Sequence, residues 1–324
     1  MIVVWRVTTR CNLSCPFCAY DRTLPFARSH ASPETIRTFL GVLADYQDRH
    51  DDPVLVSWLG GEPLLWPALS ALTIHATALG LRVSATTNGT TLGSDSVRRH
   101  VLDHYSELTV SLDAAGPAHD SLRGSPGLFA ALRANVSSLA SARLASSRAL
   151  KLRINTVLLR STIGEFPALV REIAGWGVDE LTFNALGGRD RPEYFSAHRP
   201  LPEQLARFAA QLPALRAECA PHGLTLAGSP AYLDRLHSAS ADTPRPVVDC
   251  HPARRFLFID EHGRVSPCSF TTDTLSTSIT ELRTAADIAA LPLHFSAART
   301  ARRPRVCDDC PSTQVFDKFA LSPV

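Results

Sequence analysis

Six short, β-branched apolar runs, at 2–8, 54–59, 82–86, 108–112, 152–158 and 180–184, are separated by segments with helical signals. Ser32-Pro33-Glu34 opens one helix with a cap, a first-turn proline and an acidic residue against the dipole. Gly80 and Gly177 close others. Helices are expected at about 32–47, 67–79, 94–105, 128–145 and 166–176. Strands alternating with helices predict a parallel sheet with right-handed crossovers. Six units fall short of the eight that close a full barrel. The expected fold class is therefore α/β, a partial (β/α)6 barrel. In such folds the chemistry sits at the carboxyl ends of the strands.

Beyond residue 200 the pattern changes. A helix is expected at 205–219, and Pro221, Pro230, Pro244 and Pro246 then punctuate a loop-rich linker. Residues 256–259 and 264–267 read as a hairpin around the turn 260–263, followed by two helices near 280–290 and 295–302. The expected domains are 1–200, the barrel; 201–245, a helical linker; and 246–324, a small C-terminal auxiliary domain. A formal charge of +2 over 324 residues implies no nucleic-acid partner. The chain has no run of 18 apolar residues and no secretory h-region, so no membrane is expected and the location expected is cytoplasmic. Arginine far exceeds lysine and Met1 is the sole methionine, a bias of GC-rich coding.

Eight cysteines in such a chain favour metal ligation over disulfides. Cys11-x3-Cys15-x2-Cys18 puts three soft ligands in one loop after the first strand. Tetrahedral zinc wants four protein ligands, whereas a [4Fe–4S] cluster held by three thiolates keeps one iron open. Buried free thiols or a broken zinc knuckle are the bland alternatives. Cys250, Cys268, Cys307 and Cys310 form a second set, open to a further [4Fe–4S] cluster or to zinc. Cys219, at the end of a helix, reads as an inert thiol. Other polar residues also fall at strand ends: Gly60-Gly61-Glu62-Pro63, Asn88, Ser111 and Asp113, then His119, Asp120, Arg123 and Gly124. Glycines allow a close backbone approach, and the carbonyls there, or Glu62, can accept hydrogen bonds from an ammonium. Asn155, alone in an apolar strand, is as readily a satisfied core amide.

The cysteine loop resembles the signature of the radical S-adenosylmethionine (SAM) enzymes. The resemblance implies that the open iron binds the amino and carboxylate groups of SAM, and that reduction gives methionine and a 5′-deoxyadenosyl radical. It implies Cys11, Cys15 and Cys18 as ligands and Phe17 against adenine. Gly60, Gly61 and Glu62 would hold the SAM amino group. Asn88, Ser111, Asp113, Arg123 and, more weakly, Asn155 would face SAM or substrate. The second set resembles the reduced auxiliary-cluster ("twitch") domain of some members, with Cys268, Cys307 and Cys310 as ligands. The implied cofactors are two [4Fe–4S] clusters and SAM as a consumed co-substrate; the implied partner is a flavodoxin- or ferredoxin-type reductant.

More narrowly, Cys18-Ala19-Tyr20-Asp21-Arg22, the stretch 57–66 and Cys307-Asp308-Asp309-Cys310 resemble epimerases of aminoglycoside biosynthesis within that family. The implied reaction inverts one sugar carbon, a neomycin C to neomycin B conversion, and needs a thiol to return hydrogen. Cys250 is the expected donor, its alternative being the fourth ligand of the auxiliary cluster. The chain begins directly on its first strand, which argues for a small-molecule substrate. An aminocyclitol dehydrogenase, which would need an oxidised cluster and a base, or a peptide-modifying maturase is the alternative. A two-cluster electron carrier would not need Glu62, Asn88 and Ser111 at strand ends. A polycationic substrate asks for carboxylates, with Asp113, Asp190, Glu193, Asp249 and Asp317 as candidates.

Overall fold

The computed structural model describes residues 1–146, 149–188 and 191–319. Strands β1 (Ile2–Thr8), β2 (Leu55–Gly60), β3 (Arg82–Thr87), β4 (Glu107–Ser111), β5 (Lys151–Leu158) and β6 (Glu180–Ala185) lie in chain order, each pair parallel. Helices α1 (Pro33–His50), α2 (Leu69–Ala78), α3 (Asp95–His104), α4 (Pro117–Arg123), α5 (Leu128–Ala145) and α6 (Phe166–Ala174) run between them. This is the α/β architecture expected. Side chains alternate across each strand. Val3, Trp5 and Val7 are buried on the helix side, where the Trp5 ring meets Phe39 of α1 with centroids 5.8 Å apart. Arg6 therefore turns to the lumen. On β6, Phe183 packs on Phe166 of α6, so Thr182 and Asn184 face the lumen. On β5 the buried set is Leu152, Ile154, Thr156 and Leu158, leaving Arg153, Asn155 and Val157 inside the barrel.

Helices α7 (Pro192–His198), α8 (Pro202–Cys219) and α9 (Pro230–Ser240) follow, with β7 (Thr225–Leu226) added to the edge at β6. The expected loop-rich linker is thus largely helical. Ser229 caps α9 by accepting from the Tyr232 N–H, and Pro230 sits in its first turn, the same signal as Ser32-Pro33 at α1. The hairpin strands β8 (Phe256–Ile259) and β9 (Arg264–Ser266) are as expected, and β10 (Thr277–Ser278) pairs with β9. Strand β8 pairs in parallel with β1, so the hairpin continues the barrel sheet at its other edge. The two expected C-terminal helices are one, α10 (Ala285–Ala301), which runs through Pro292. Proline removes one helical hydrogen bond, but Ile288, Leu291 and Phe295 stay buried on one face against α1. Among the described residues, no helix is long and apolar enough to cross a membrane.

Candidate active site

The loop after β1 carries Cys11, Cys15 and Cys18 and is held from two sides. On one side β2 ends against it. Gly61 N–H donates to Thr8 O at 2.9 Å, and Glu62 N–H to Arg10 O at 2.8 Å. A Cβ at Gly60 would lie 2.4 Å from Thr8 O, and one at Gly61 only 2.2 Å from Arg10 O. These glycines are required for backbone to meet backbone. The Glu62 carboxylate is fully buried and already occupied. It accepts from Thr87 Oγ1 (2.7 Å), Leu64 N–H (3.1 Å) and Asn88 N–H (2.6 Å). Burial pushes its carboxyl up to about 7, against those donors. The expected ammonium acceptor thus narrows to the carbonyls of this turn, and the side chain of Glu62 fixes Asn88. Asn88 Nδ2 donates to Asn12 Oδ1 at 2.9 Å and lies 3.7 Å from Cys11 Sγ.

On the other side stands α4. Its terminal Arg123 is buried and donates from two nitrogens to one oxygen of Asp113, Nε–Oδ2 2.7 Å and Nη2–Oδ2 2.6 Å. Asp113 Oδ1 also accepts from Val157 N–H at 2.9 Å, so Asp113 is the counter-ion of Arg123 and does not face a ligand, contrary to expectation. Arg123 Nη1 reaches Cys15 Sγ at 3.8 Å, and its guanidinium carbon lies 5.5 Å from the centre of the Phe17 ring. Gly124 follows at φ +63°, where a Cβ would strike Ser14 Oγ at 2.1 Å. The left-handed turn and the contact with the loop both demand glycine. Burial pushes the Cys15 thiol up to about 12, with Arg123 opposing. Metal binding would displace that proton. His119 accepts from the Asp113 N–H at 3.2 Å through Nδ1, and burial lowers it to about 4, so it is a neutral spacer.

Ser111 is in register with Asn155 on the lumen face. Asn155 Oδ1 accepts from Thr182 Oγ1 at 3.0 Å and from Lys318 Nζ at 2.8 Å, the satisfied amide that sequence left open. Several residues escaped the sequence reading. Arg6 donates from Nη1 to Tyr20 OH (2.9 Å) and from Nε to Glu261 Oε2 (2.5 Å), tying the cysteine loop to the β8–β9 turn. Tyr194 of α7 lies 6.4 Å from Phe17, and Arg191 lies 3.5 Å from Asp21. Alternation along β1 and β6 could have put Arg6 and Asn184 in the lumen. Lys318 carried only a compositional signal, being one of two lysines in the chain.

The second cysteine set lines one cavity of about 570 Å3, shared by Cys250, Cys268, Cys307 and Cys310. Its walls are stapled together. Val247 N–H donates to Cys307 O (3.3 Å), Cys310 N–H to Arg245 O (3.1 Å) and Arg299 Nη1 to Val248 O (2.6 Å). Burial raises the Cys250 thiol, and Cys268 and Cys307 add to the rise, so the three sit within electrostatic reach. Cys219 is buried in the core at the end of α8. Among the described residues, no three Cys, His, Asp or Glu side chains are grouped to hold a single metal ion. Zinc–sulfur bonds of about 2.3 Å would draw thiolates to within about 4 Å of one another. The three-thiol loop, with a guanidinium and an amide aimed at two of its sulfurs, suits an iron–sulfur cluster with one open iron. The four described candidate carboxylates do not converge on one site. Asp113 is paired, Glu193 is exposed beside Arg191, Asp249 and Asp317 line the second cavity, and Asp190 lies outside the described residues.

Residues 5–144 match the family model of the Radical SAM superfamily. The chain is 27% identical over 329 aligned residues to a PqqA peptide cyclase of Xanthomonas campestris pv. campestris, covering 97% of this chain and 80% of that protein. It is 25% identical over 284 residues to an AdoMet-dependent heme synthase of Methanosarcina barkeri, covering 83% and 76%. The fold matches that of Streptococcus suis SuiB bound to S-adenosylmethionine at a TM-score of 0.68 and 15% identity, over 96% of this chain and 72% of that one. SuiB bound to its precursor peptide SuiA matches at 0.66 and 16% identity, over 98% and 70%.

Proposed function

From the radical SAM domain of residues 5–144, we propose that this enzyme modifies a peptide. The observation that carries the proposal is the extent of the likeness to the PqqA peptide cyclase. It covers 97% of the chain and so takes in both cysteine sets. The likeness favours this reading over the aminoglycoside epimerase expected from short motifs. Cys250 shares its cavity with three other thiols, which supports a ligand role beside them. On this reading Cys250 is a fourth ligand, and residues 246–324 hold a second [4Fe–4S] cluster beside the barrel.

Cys11, Cys15 and Cys18 would hold the first [4Fe–4S] cluster. With SAM bound and an electron from a flavodoxin- or ferredoxin-type donor, such a cluster would supply 5′-deoxyadenosyl radical chemistry for hydrogen abstraction from substrate. The chain's own residues prepare this site. Arg123 offsets the charge gathered on Cys15, and Asp113 fixes the guanidinium for that contact. Asn88 donates toward Cys11, in a position set by Glu62. Phe17, backed by Arg123 and Tyr194, offers an apolar face for adenine. Ser111 and the other lumen side chains of β4 to β6 face the substrate.

The test is anaerobic. Reconstituted protein should bind about eight iron atoms, as two four-iron clusters. With SAM and reductant, short peptides encoded beside its gene should stimulate 5′-deoxyadenosine formation, one molecule per modified peptide. Stimulation by neomycin C and by none of the peptides would return the reading to the epimerase.

A further inference from the structure

Asn155 and Asn184, on adjacent strands, both turn into the lumen. Between their carboxamide oxygens lies Lys318 Nζ, at 2.8 and 2.7 Å. Lys318 is 5% exposed and comes from outside the barrel, on a segment anchored where Phe316 O accepts from Ser229 Oγ at 2.9 Å. A buried ammonium requires three acceptors and a counter-charge. Among the described residues two oxygens meet Nζ, and the nearest opposing charge, Glu180, is shared with other cations. Arg153 of β5 brings a like charge. Glu180 of β6 pairs with Arg153 (3.0 Å) and with Lys151, and Glu107 of β4 with Arg153 (3.1 Å) and Arg82 (3.2 Å). Tyr232 of α9, whose hydroxyl burial keeps protonated, donates to Asn184 Oδ1 at 3.3 Å. The Phe319 ring lies 5.1 Å from both Nζ and the Arg153 guanidinium. Burial, with Arg153 adding, pushes the lysine down to about 7. A neutral amine fits this pocket: two N–H bonds go to two oxygens and the lone pair stays free.

Its placement also fits. Asn155 is in register with Ser111 and Thr182. It lies two residues before Val157, whose N–H is held by Asp113, the partner of Arg123. At strand rise Asn155 is about 7 Å along β5 from that Val157 contact.

We propose that Lys318 is a catalytic base of the barrel lumen, with Asn155 and Asn184 fixing its amine so that the lone pair accepts a proton from the substrate. The proposal rests on the peptide-modifying reading for the identity of that substrate. A hydrogen atom leaves carbon for the 5′-deoxyadenosyl radical. A proton leaves the adjacent heteroatom for Lys318 Nζ, and one electron passes to an oxidised iron–sulfur cluster at the second cysteine set. The product then lacks two hydrogens and carries the new double or cross-linking bond.

Two measurements decide it. In reconstituted protein labelled with 13C at lysine Cε, Lys151→Met leaves a single side-chain signal, that of Lys318. It should titrate with a midpoint within about one unit of pH 7; a signal that stays in the ammonium position up to about pH 9 overturns the proposal. In turnover, Lys318→Met should keep forming 5′-deoxyadenosine while modified peptide falls by about a hundredfold. Lys318→Arg, still cationic but unable to accept a proton, should not restore it. Wild-type product yield from either variant overturns the proposal. Failure of wild-type protein to act on any peptide would instead count against the peptide reading, with the titration still deciding the state of the lysine.

Discussion

At the scale of single residues, the cysteine loop is set by one ion pair and one glycine. Arg123 and Asp113 are both buried and close at 2.6–2.7 Å, and Arg123 also reaches Cys15. Arg123→Met would leave Asp113 as an uncompensated buried charge. The expected cost is about 3–5 kcal/mol in chemical denaturation. Asp113→Asn with Arg123→Met should recover much of it; no recovery would show that the pair is not what Arg123 contributes. Gly124 was legible only as a residue near a strand end. What makes it necessary is the approach of Ser14 to 2.1 Å from the Cβ it lacks, a contact between segments over a hundred positions apart. The role of Glu62 was obscured for the same reason. Sequence shows an acidic side chain in a glycine-rich turn, and only the fold brings Thr87 and Asn88 to it as donors.

At the scale of elements, the strands could be read because alternation of burial repeats along each of them, and α1 because Ser32-Pro33 is a strong start signal. The same signal at Ser229-Pro230 went unread among neighbouring prolines, and α9 was placed in a linker. Ser229 has two tasks, capping α9 and donating to Phe316 O in the segment that delivers Lys318. Ser229→Ala should therefore cost about 1–2 kcal/mol, the upper part of the range for a lost cap. It should also speed proteolysis near the C-terminus; protection equal to wild type would separate the cap from the segment. Helix α10 poses the opposite problem. Two helices are expected near 280–290 and 295–302, yet burial of Ile288, Leu291 and Phe295 carries one helix through Pro292. Pro292→Ala returns an N–H to the helix and should raise stability by about 1–3 kcal/mol, read as an increase in Tm.

At the scale of the whole molecule, two buried ionisable groups lie far apart in sequence and respond to pH in opposite senses. Neither environment could be read locally, since Lys318 meets β5 and β6 only through the fold. Glu62 has a folded value raised by burial to about 7 from an unfolded 4.5. Between these values the native state holds the extra proton, so its contribution is complete below pH 4.5 and is lost as pH rises through 7. Lys318 has a folded value lowered by burial to about 7 from 10.5. Between these values the unfolded state holds the extra proton, so stability rises with pH above 7 and is lowest below it. His119, lowered by burial to about 4 from 6.5, adds a rise between those values that offsets the fall from Glu62, so the pH–stability curve of the metal-free protein should be nearly level from pH 4.5 to 6.5 and rise above 7 with Lys318. Cys15 and Cys310, raised by burial to about 12 and about 11, turn the curve downward above pH 9, so the useful window ends there. Urea denaturation from pH 4.5 to 8.5 should show the level stretch and the start of the rise. Lys318→Met should remove the rise above pH 7. Glu62→Gln should uncover the His119 rise below pH 6.5, from a lower overall level, because its amide can accept only some of the three donors that meet the carboxylate. A rising limb that survives in Lys318→Met would assign that titration to another group and remove the thermodynamic support for a neutral amine in the lumen.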